Sequence, residues 1–383
     1  MTTGLLAEVL VELGERSYPV QLAKGGLQDF GAVIRAQTDA SRAIVITVPE
    51  VGRRYAPKLL RSLRAAGLRV GRIDVPDGDR TKNLRQVASL YDALLERGAD
   101  RGAVLVALGG GMVGDLTGFT AATYLRGIPF VQVPTTVLAM VDASVGGKTG
   151  VNLPQGKNLV GAFHQPRAVL IDIETLRSLP DRERAAGFAE VVKAAAIWDE
   201  ALFRRLEGSA EALLGLDTTA LAPVLKRAIE IKAEVVSQDE REQGVRMLLN
   251  FGHTLGHAIE ARRRYRGILH GEAVAIGMVY AAQRSEALGA APSGTASRLA
   301  ALCERFGLPT ALPRYARTDY AAALEVDKKK RGAHIRFVVL DGIGSARTVP
   351  LRLAEVVAGI PRAKAEARAA DRRKSERPRR RGR

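Results

Sequence analysis

Short apolar segments alternate with amphipathic segments over the first third of the chain, and this order constrains the fold more than any other feature. The segments 43–48, 70–75 and 103–108 are apolar and short enough to be buried strands. Between them, segments 55–66 and 84–95 place apolar residues at helical spacing. The order strand, helix, strand, helix, strand predicts a parallel sheet with right-handed crossovers. Two earlier apolar segments predict a hairpin: 9–13 and 18–22.

Helices dominate the chain beyond residue 180. Apolar residues at helical spacing predict five of them: 184–206, 222–236, 244–262, 271–288 and 296–306. One further strand is expected over 334–340. We therefore predict an α/β domain over 1–180 and a mostly helical, all-α domain over 181–361, with the boundary near Leu179-Pro180.

The strongly basic composition divides into two parts. The 383 residues include 58 Lys and Arg against 41 Asp and Glu, which gives a net charge of +17, and residues 362–383 alone contribute +8. This C-terminal segment has almost no apolar side chains beyond alanine, so we predict a disordered basic tail. Nucleic-acid binding by the tail is the less favoured alternative to a solvated segment, because no aromatic residues stand between its arginines to stack on bases.

Two further features exclude classes of protein. Cys303 is the only cysteine, so an intrachain disulfide and a thiolate metal site are both excluded. No stretch has the roughly 20 apolar residues of a membrane helix, and the first thirty residues lack the apolar core of a signal peptide. We therefore expect a cytoplasmic protein.

A glycine-rich loop directly follows the predicted strand 103–108. Gly109-Gly110-Gly111-Met112-Val113-Gly114-Asp115 matches G-x-G-x-x-G and precedes a predicted helix. Such glycines let backbone N–H groups approach a pyrophosphate, and the helix N-terminus favours negative charge. However, no acidic residue follows about 20 positions later, as a dinucleotide-binding fingerprint requires. Phosphate binding and a tight turn packed on the sheet remain equal alternatives for this loop alone.

A second polar segment runs from Pro134 to Asn158. Its Gly146-Gly147-Lys148-Thr149 sequence is similar to the end of a phosphate-binding P-loop, but Asp142 stands where the first glycine would be, so that motif is excluded. The segment instead predicts a flexible loop of polar groups suited to an oxyanion-rich ligand. These polar groups belong to Thr135, Thr136, Asp142, Ser144, Lys148, Thr149, Asn152, Lys157 and Asn158.

The predicted helix 244–262 has an unusual polar stripe. Arg246, Asn250, His253, His257 and Glu260 are spaced by 4, 3, 4 and 3, which places them on one helical face. Three of the five histidines of the chain, His253, His257 and His270, lie within eighteen residues. The third of them directly precedes the next predicted helix. This concentration favours a functional site over a satisfied core histidine.

A carboxylate and two histidines would form a catalytic zinc site with one open position. Glu190 and Lys193 lie three residues apart on a predicted helix of Ala, Val and Ile, where charged groups are costly unless paired or ligated. The spacing leaves two histidine pairs open as ligands, His253 with His257 or His253 with His270.

Several long ungapped blocks of the sequence match one known family. These blocks are GGGMVGDLTGF (109–119), RGIPFVQVPTTVLAMVDASVGGKTGVN (126–152), GKNLVGAFHQP (156–166), FAEVVKAA (188–195), DEREQGVRMLLNFGHTLGHAIE (239–260), LHGEAVAIGM (269–278) and DKKKRG (327–332). In them the chain resembles the 3-dehydroquinate synthase family, the sugar-phosphate cyclases of the shikimate pathway, and the resemblance spans roughly residues 10–345.

The resemblance implies an N-terminal Rossmann-like NAD-binding domain and a helical metal- and substrate-binding domain, in a homodimer. It assigns the ligands of Zn²⁺ or Co²⁺ to Glu190, His253 and His270. The implied NAD contacts are Asp77, Gly78, Asp79, Lys82, Gly111, Met112, Val113, Gly114, Asp115, Thr135, Thr136, Lys148, Lys157, Thr175, Leu176, Arg177 and Ser178. The implied catalytic and substrate contacts are Arg126, Asp142, Lys148, Asn158, Lys193, Lys232, Arg246, Asn250, His257 and Lys330.

Two positions depart from the family pattern. Val48 stands where the family usually has an acidic residue that holds the adenosine ribose, and Glu50 is the nearest carboxylate. Gly78-Asp79 replaces the usual Gly-Glu pair. Both departures concern recognition of the ribose.

The implied activity is that of a carbon–oxygen lyase of aromatic amino acid biosynthesis. It converts 3-deoxy-D-arabino-heptulosonate 7-phosphate into 3-dehydroquinate and phosphate through NAD-mediated oxidation, β-elimination of phosphate, re-reduction, ring opening and an intramolecular aldol closure. The alternatives are another sugar-phosphate cyclase, or an NAD- and metal-dependent alcohol or glycerol dehydrogenase.

Overall fold

The computed structural model describes residues 4–263, 266–328 and 334–360. The chain forms two compact units. Among these described residues, the first unit comprises 4–194 and 204–246, and the second comprises 195–203 and those from 247 to 360. The sequence places residues 204–246 in the helical domain, whereas the contacts in the structure group them with the N-terminal residues.

A seven-stranded sheet forms the centre of the first unit. The strands of this unit are β1 (Leu5–Val11), β2 (Tyr18–Ala23), β3 (Arg42–Thr47), β4 (Arg69–Asp74), β5 (Ala103–Gly109), β6 (Phe130–Pro134), β7 (Lys148–Leu153), β8 (Gly156–Phe163) and β9 (Val169–Asp172). The order in the sheet is β1-β2-β9-β6-β5-β3-β4. Only β1 runs antiparallel, paired with β2, and the other neighbouring strands are parallel. The predicted hairpin and parallel sheet are confirmed.

Helices cover both faces of this sheet. They are α1 (Phe30–Gln37), α2 (Pro49–Ala65), α3 (Leu84–Glu96) and α4 (Gly111–Thr123). On one face, Ile44 of β3 packs in a core cluster with Leu90 of α3 and Leu116 of α4. On the other face, Val45 belongs to the cluster that contains Leu59 of α2. The central strands are apolar throughout because successive residues meet different helices, as in Rossmann-like folds.

The polar segment after β6 is not the flexible loop expected from its sequence. Ala139–Ala143 forms a short π-helix, and β7 and β8 then pair as an antiparallel hairpin. Val151 and Val160 face each other in this hairpin, with Val151 buried in the core and Val160 packed against it. The many Gly, Asn and Lys residues of the segment conceal this short apolar alternation.

Three long helices follow the sheet: α5 (Asp181–Trp198), α6 (Glu200–Leu214) and α7 (Thr218–Gln238). The prediction of one helix over 184–206 is wrong, because the chain breaks between α5 and α6. There the Asp199 carboxylate accepts a hydrogen bond from the Leu202 N–H at 2.9 Å, which caps α6. Helix α7 packs against β1, and the Ser237 hydroxyl accepts a 3.1 Å hydrogen bond from the Glu12 N–H.

The second unit is built mainly from helices. They are α8 (His253–Arg262), α9 (His270–Ala287), α10 (Thr295–Arg305), α11 (Arg317–Lys328) and α12 (Leu353–Val357), with a two-stranded hairpin of β10 (Ile335–Gly342) and β11 (Ser345–Leu351). Helix α9 contacts α8, α10 and β10 and is buried along most of its length. The mixed fold of a Rossmann-like sheet followed by a helical region is confirmed.

The prediction of one continuous helix over 244–262 is wrong. Val245–Asn250 is a 3₁₀ helix, and α8 begins only after Gly252, whose φ of 79° lies in the left-handed region. Upstream, the Asp239 carboxylate accepts hydrogen bonds from the N–H groups of Gln243, Gly244 and Arg246 at 2.6–3.0 Å. These bonds compete with helical ones and keep the segment irregular. Arg246 and Asn250 therefore do not share a helical face with the histidines.

Two predictions fall outside the described residues, namely the disordered tail over 362–383 and the substrate contact Lys330. Within the described ranges, no helix has both the length and the apolar character needed to cross a membrane.

Candidate active site

The residues predicted to bind NAD lie where parallel strands of the first unit end. Asp77–Lys82 follows β4, Gly111–Asp115 follows β5, Thr135 and Thr136 follow β6, and Thr175–Ser178 follows β9. The carboxyl ends of parallel strands meet at one edge of a sheet, which is where open α/β folds bind ligands. The structure therefore brings four separate predicted segments to the same edge.

The glycine-rich loop after β5 is shaped by close packing. A Cβ on Gly114 would lie 2.4 Å from Oε1 of Gln132, and a Cβ on Gly111 would lie 3.2 Å from that of Ala143. Close packing alone therefore explains glycine at both positions, as the tight-turn alternative expects, and anion binding is not needed to explain it. Helix α4 begins at Gly111, and phosphate binding by its N-terminus stays a prediction.

A hydrogen bond and an ion pair join predicted cofactor residues to the β7–β8 hairpin. The Lys82 ammonium lies 2.8 Å from Asp115 and donates a 2.6 Å hydrogen bond to the side chain of Asn158. Burial raises the pKa of the Asp115 carboxyl, and the nearby Lys82 opposes that shift. Lys157, on the same hairpin, lies 2.9 Å from Asp79. One residue predicted to contact substrate, Asn158, is thus in direct contact with the predicted cofactor region.

Further positions of the predicted cofactor region lie after β9 and at the start of α2. The Tyr55 hydroxyl of α2 lies 2.6 Å from that of Ser178, and Thr175 donates to the Asp172 carbonyl. Val48 is buried at the start of α2, while Glu50 is exposed and pairs with Arg53 and Arg54. Glu50 therefore lies on the helix surface, engaged with its own neighbours along α2.

A buried cluster of charges surrounds Asp142 in the first unit. The Lys232 ammonium of α7 lies 2.5 Å from Asp142 Oδ1, and that of Lys193 on α5 lies 3.8 Å from the same oxygen. Lys193 also pairs with Glu190 one helical turn earlier. The side chains of Lys193 and Glu190 are 2% and 1% exposed, so the expectation that these charges are paired is confirmed.

The two lysines differ in how readily they lose a proton. Burial lowers the pKa of Lys193, but the carboxylates of Glu190 and Asp142 outweigh it and raise the pKa overall. Burial together with the positive charges of Lys193 and Arg246 lowers the pKa of Lys232 to about 8, despite the opposing Asp142. Lys193 therefore keeps its proton more strongly than an ordinary lysine, whereas Lys232 loses its proton more readily.

Three further predicted substrate contacts are cations of the first unit. Lys148, at the start of β7, pairs with Glu242, a residue that the sequence reasoning missed although it lies in the block DEREQG. The Arg246 side chain is buried and donates to the carbonyl oxygens of Gly146 and Glu240. Arg126 lies on an exposed turn after α4, with a left-handed φ of 68°.

A histidine cluster lies between α8 and α9 in the second unit. The ring centroids of His253 and His270 are 5.3 Å apart, and His257 lies 5.3 Å from the first ring and 6.1 Å from the second. Nδ1 of His270 lies 3.3 Å from the buried Glu260 carboxylate, and Nδ1 of His253 lies 3.2 Å from the Phe251 carbonyl. A carbonyl only accepts, so this contact requires a proton on Nδ1 and leaves Nε2 as the nitrogen that a metal would bind.

Glycines allow this cluster to form. A Cβ on Gly277 of α9 would lie 2.0 Å from the Gly252 carbonyl oxygen, and a Cβ on Gly252 would lie 2.5 Å from Met278. The two backbones therefore approach more closely than other residues permit. The structure brings together both histidine pairs that the spacing left open, His253 with His257 and His253 with His270, because all three imidazoles lie side by side. Asn250 ends the preceding 3₁₀ helix.

Comparison with known proteins identifies the family. The models of the N-terminal and C-terminal parts of 3-dehydroquinate synthase match residues 72–186 and 187–330. The chain is 49% identical to the 3-dehydroquinate synthase of Geobacter metallireducens over 348 residues, which cover 91% of this chain and 97% of the relative. The chain belongs to the 3-dehydroquinate synthase family. It is therefore an enzyme of the family predicted from its sequence.

Solved structures of related cyclases agree with this membership of the 3-dehydroquinate synthase family. A 2-deoxy-scyllo-inosose synthase complexed with carbaglucose-6-phosphate, NAD⁺ and Co²⁺ has a TM-score of 0.83 at 27% identity, covering 92% of this chain and 98% of its own. The 2-epi-5-epi-valiolone synthase of Streptomyces hygroscopicus subsp. jinggangensis, with NAD⁺ and Zn²⁺ bound, has a TM-score of 0.82 at 29% identity, covering 96% and 99%. The identity to the curated 3-dehydroquinate synthase is much higher than to either cyclase.

Proposed function

We propose that this chain converts 3-deoxy-D-arabino-heptulosonate 7-phosphate into 3-dehydroquinate and phosphate. The observation that supports this most directly is the buried pair of cations, Lys193 and Lys232, that share Asp142 in a member of this family. The substrate carries a phosphate and a carboxylate, and a site for it needs several fixed cations. We further propose that the domain boundary lies near residue 180, close to where the two family models meet.

NAD fits the loops at the carboxyl edge of the sheet. We propose that the backbone of Gly111–Asp115 and the side chains after β4, β6 and β9 hold it, with Lys82 and Lys157 fixing that region through Asp115 and Asp79. The two related cyclases were both solved with NAD⁺, which supports this assignment.

A divalent metal fits the donors of the histidine cluster. We propose Glu190, His253 and His270 as its ligands, because imidazole nitrogens and a carboxylate oxygen are the donors that zinc and cobalt take in catalytic sites. The 3.3 Å contact of Glu260 with His270 would orient that imidazole from outside the ligand set. When bound, NAD⁺ supplies a reversible hydride acceptor and the metal supplies a Lewis acid.

The side chains of this chain would position the substrate and move its protons. Lys148, Lys193 and Arg246 are the proposed anion clamps, which hold the phosphate and the carboxylate and stabilise developing charge. Lys232 has a pKa of about 8, so it is able to exchange a proton near neutral pH as well as to bind an anion. His257 and Asn250 are the proposed groups for handling hydroxyl protons.

We also propose that the enzyme is a cytoplasmic homodimer, as the family resemblance implies. Light scattering of the purified protein tests the dimer directly, and a monomer at micromolar concentration would contradict it.

The activity is tested by following phosphate release from the heptulosonate phosphate with a trace of NAD⁺ and with Zn²⁺. We expect many turnovers per NAD⁺, because the hydride returns to the substrate in each cycle. An alcohol or glycerol dehydrogenase would instead accumulate NADH in proportion to substrate consumed. Turnover of glucose 6-phosphate or sedoheptulose 7-phosphate, without turnover of the heptulosonate phosphate, would favour another cyclase.

A further inference from the structure

The turn between Asp142 and Lys148 has a backbone that only glycine adopts easily. Gly146 has φ of 102° and Gly147 has φ of 64°. A Cβ on Gly146 would lie 2.4 Å from Nη2 of Arg246. The turn is therefore shaped by its neighbours, and it joins two residues of the proposed substrate site.

Two buried side chains bind successive peptide groups of this turn. The Gly146 N–H donates to the Tyr18 hydroxyl at 3.0 Å, and Nη2 of Arg246 donates to the Gly146 carbonyl oxygen at 3.0 Å. Tyr18 and Arg246 are each 1% exposed. Buried polar bonds of this kind fix geometry, because leaving one of the partners unsatisfied is costly.

Tyr18 itself is rigidly placed. It is the first residue of β2, and it pairs with Val11 of β1 inside the sheet. Burial raises the pKa of its hydroxyl, which therefore stays neutral at any pH where the enzyme works, although the Gly146 N–H and the charge of Arg246 act in the opposite direction. A neutral hydroxyl on a sheet strand is a fixed acceptor for the turn.

We infer that Tyr18 is a positioning residue for substrate binding. Its hydroxyl accepts the hydrogen bond of the Gly146 N–H and thereby fixes the Lys148 ammonium relative to Asp142. Arg246 holds the same turn from the other side, through the Gly146 carbonyl oxygen. Tyr18 lies more than 120 residues before the turn in sequence, so the sequence pattern gives no sign of this role. The effect on catalysis rests on the proposed function, whereas the effect on the turn does not.

The substitution Tyr18→Phe removes only the hydroxyl, and Tyr280→Phe is its matched control. Tyr280 is also 1% exposed, and its hydroxyl donates to the Val356 carbonyl in the second unit. Hydrogen exchange of the peptide covering 143–150, followed by mass spectrometry, should be at least about fivefold faster in Tyr18→Phe and unchanged in Tyr280→Phe. Unchanged exchange in Tyr18→Phe would overturn the inference, even if the protein has a different activity.

Kinetics then test whether the turn acts through Lys148. We expect Tyr18→Phe to raise KM for the heptulosonate phosphate about fivefold to tenfold while kcat changes less than about twofold, because a displaced clamp weakens binding. In a Lys148→Ala background the same substitution should have no further effect on KM. An equal rise of KM in both backgrounds, or in Tyr280→Phe, would contradict a positioning role. Failure of the wild-type enzyme to turn over the substrate would instead refute the proposed function.

Discussion

The charged cluster around Asp142 and the histidine cluster of α8 and α9 are built in opposite ways. Asp142 lies 90 residues from Lys232 in sequence, and the cluster draws on three elements of the first unit: the π-helix with Asp142, α5 with Glu190 and Lys193, and α7 with Lys232. The three histidines come from two successive helices of the second unit, within eighteen residues. The comparison shows that one protein assembles a charged cluster from distant parts of its chain and a histidine cluster from one short segment.

The energetic consequences also differ. Lys193, Lys232 and Glu190 are buried charges, so each depends on the others to offset the cost of losing water. The histidine cluster instead depends on a close approach of two backbones, which glycine provides at positions 252 and 277. The first region should therefore be sensitive to loss of charge and the second to gain of volume.

The largest effect is expected from His270→Ala in the histidine cluster. Removing a proposed ligand should lower kcat by about a thousandfold or more, because a Lewis acid contributes several kcal/mol to the transition state. Phosphate release and bound zinc per chain are the measurements. His334→Ala, at an exposed histidine outside the cluster, is the control and should retain full activity and metal. Full turnover by His270→Ala would rule out this ligand assignment.

The next largest effect is expected from Asp142→Asn in the charged cluster. This change leaves two buried ammonium groups without their shared carboxylate and should reduce the free energy of unfolding by about 3 kcal/mol. Urea denaturation measures the loss. The control is Glu234→Gln, which removes an exposed partner of Arg227 and should cost less than about 1 kcal/mol. Similar losses in the two variants would show that the buried cluster is no more important than a surface pair.

Gly277→Ala tests the sensitivity of the second region to volume. The added methyl group would meet the Gly252 carbonyl oxygen, and separating the helices should cost about 2 kcal/mol of stability and weaken zinc binding. Gly208→Ala in α6 is the matched control, because nothing lies within 4 Å of its Cβ. That variant should gain about 0.5–1 kcal/mol. A stable Gly277→Ala protein with normal zinc affinity would mean that the close approach is not needed.

Features that depend on residues close together in sequence could be predicted from the sequence, whereas features that depend on distant residues could not. The strand Ala103–Gly109 and the proximity of the three histidines are visible in the sequence, because both are local patterns. The irregular segment before α8 could not be predicted from the sequence, because the Asp239 carboxylate binds three backbone N–H groups that a helix would otherwise use. The β7–β8 hairpin and the pairing of Lys148 with Glu242 depend on contacts between distant residues, which periodicity does not report.

The smallest effect concerns the pH dependence of Lys232. Its pKa of about 8 is below the ordinary value of 10.5, so the ammonium is charged below pH 8 and loses its charge as the pH rises through that value. If the charge binds substrate, kcat/KM should fall by about tenfold per pH unit above pH 8. Lys232→Arg, which keeps its charge, should move this decline to higher pH. An unchanged alkaline limit in Lys232→Arg would assign the titration to another group.

The closeness of the three histidines in sequence also bears on the order of folding. Contacts between neighbouring helices need only a short loop to close, so they form sooner than contacts across ninety residues. The α8–α9 pair, with its three histidines, is therefore able to form while the strands of the first unit are still unpaired. Pulse-labelling during refolding should show protection in α8 and α9 before protection of β5, and simultaneous protection would argue against early formation of this helix pair.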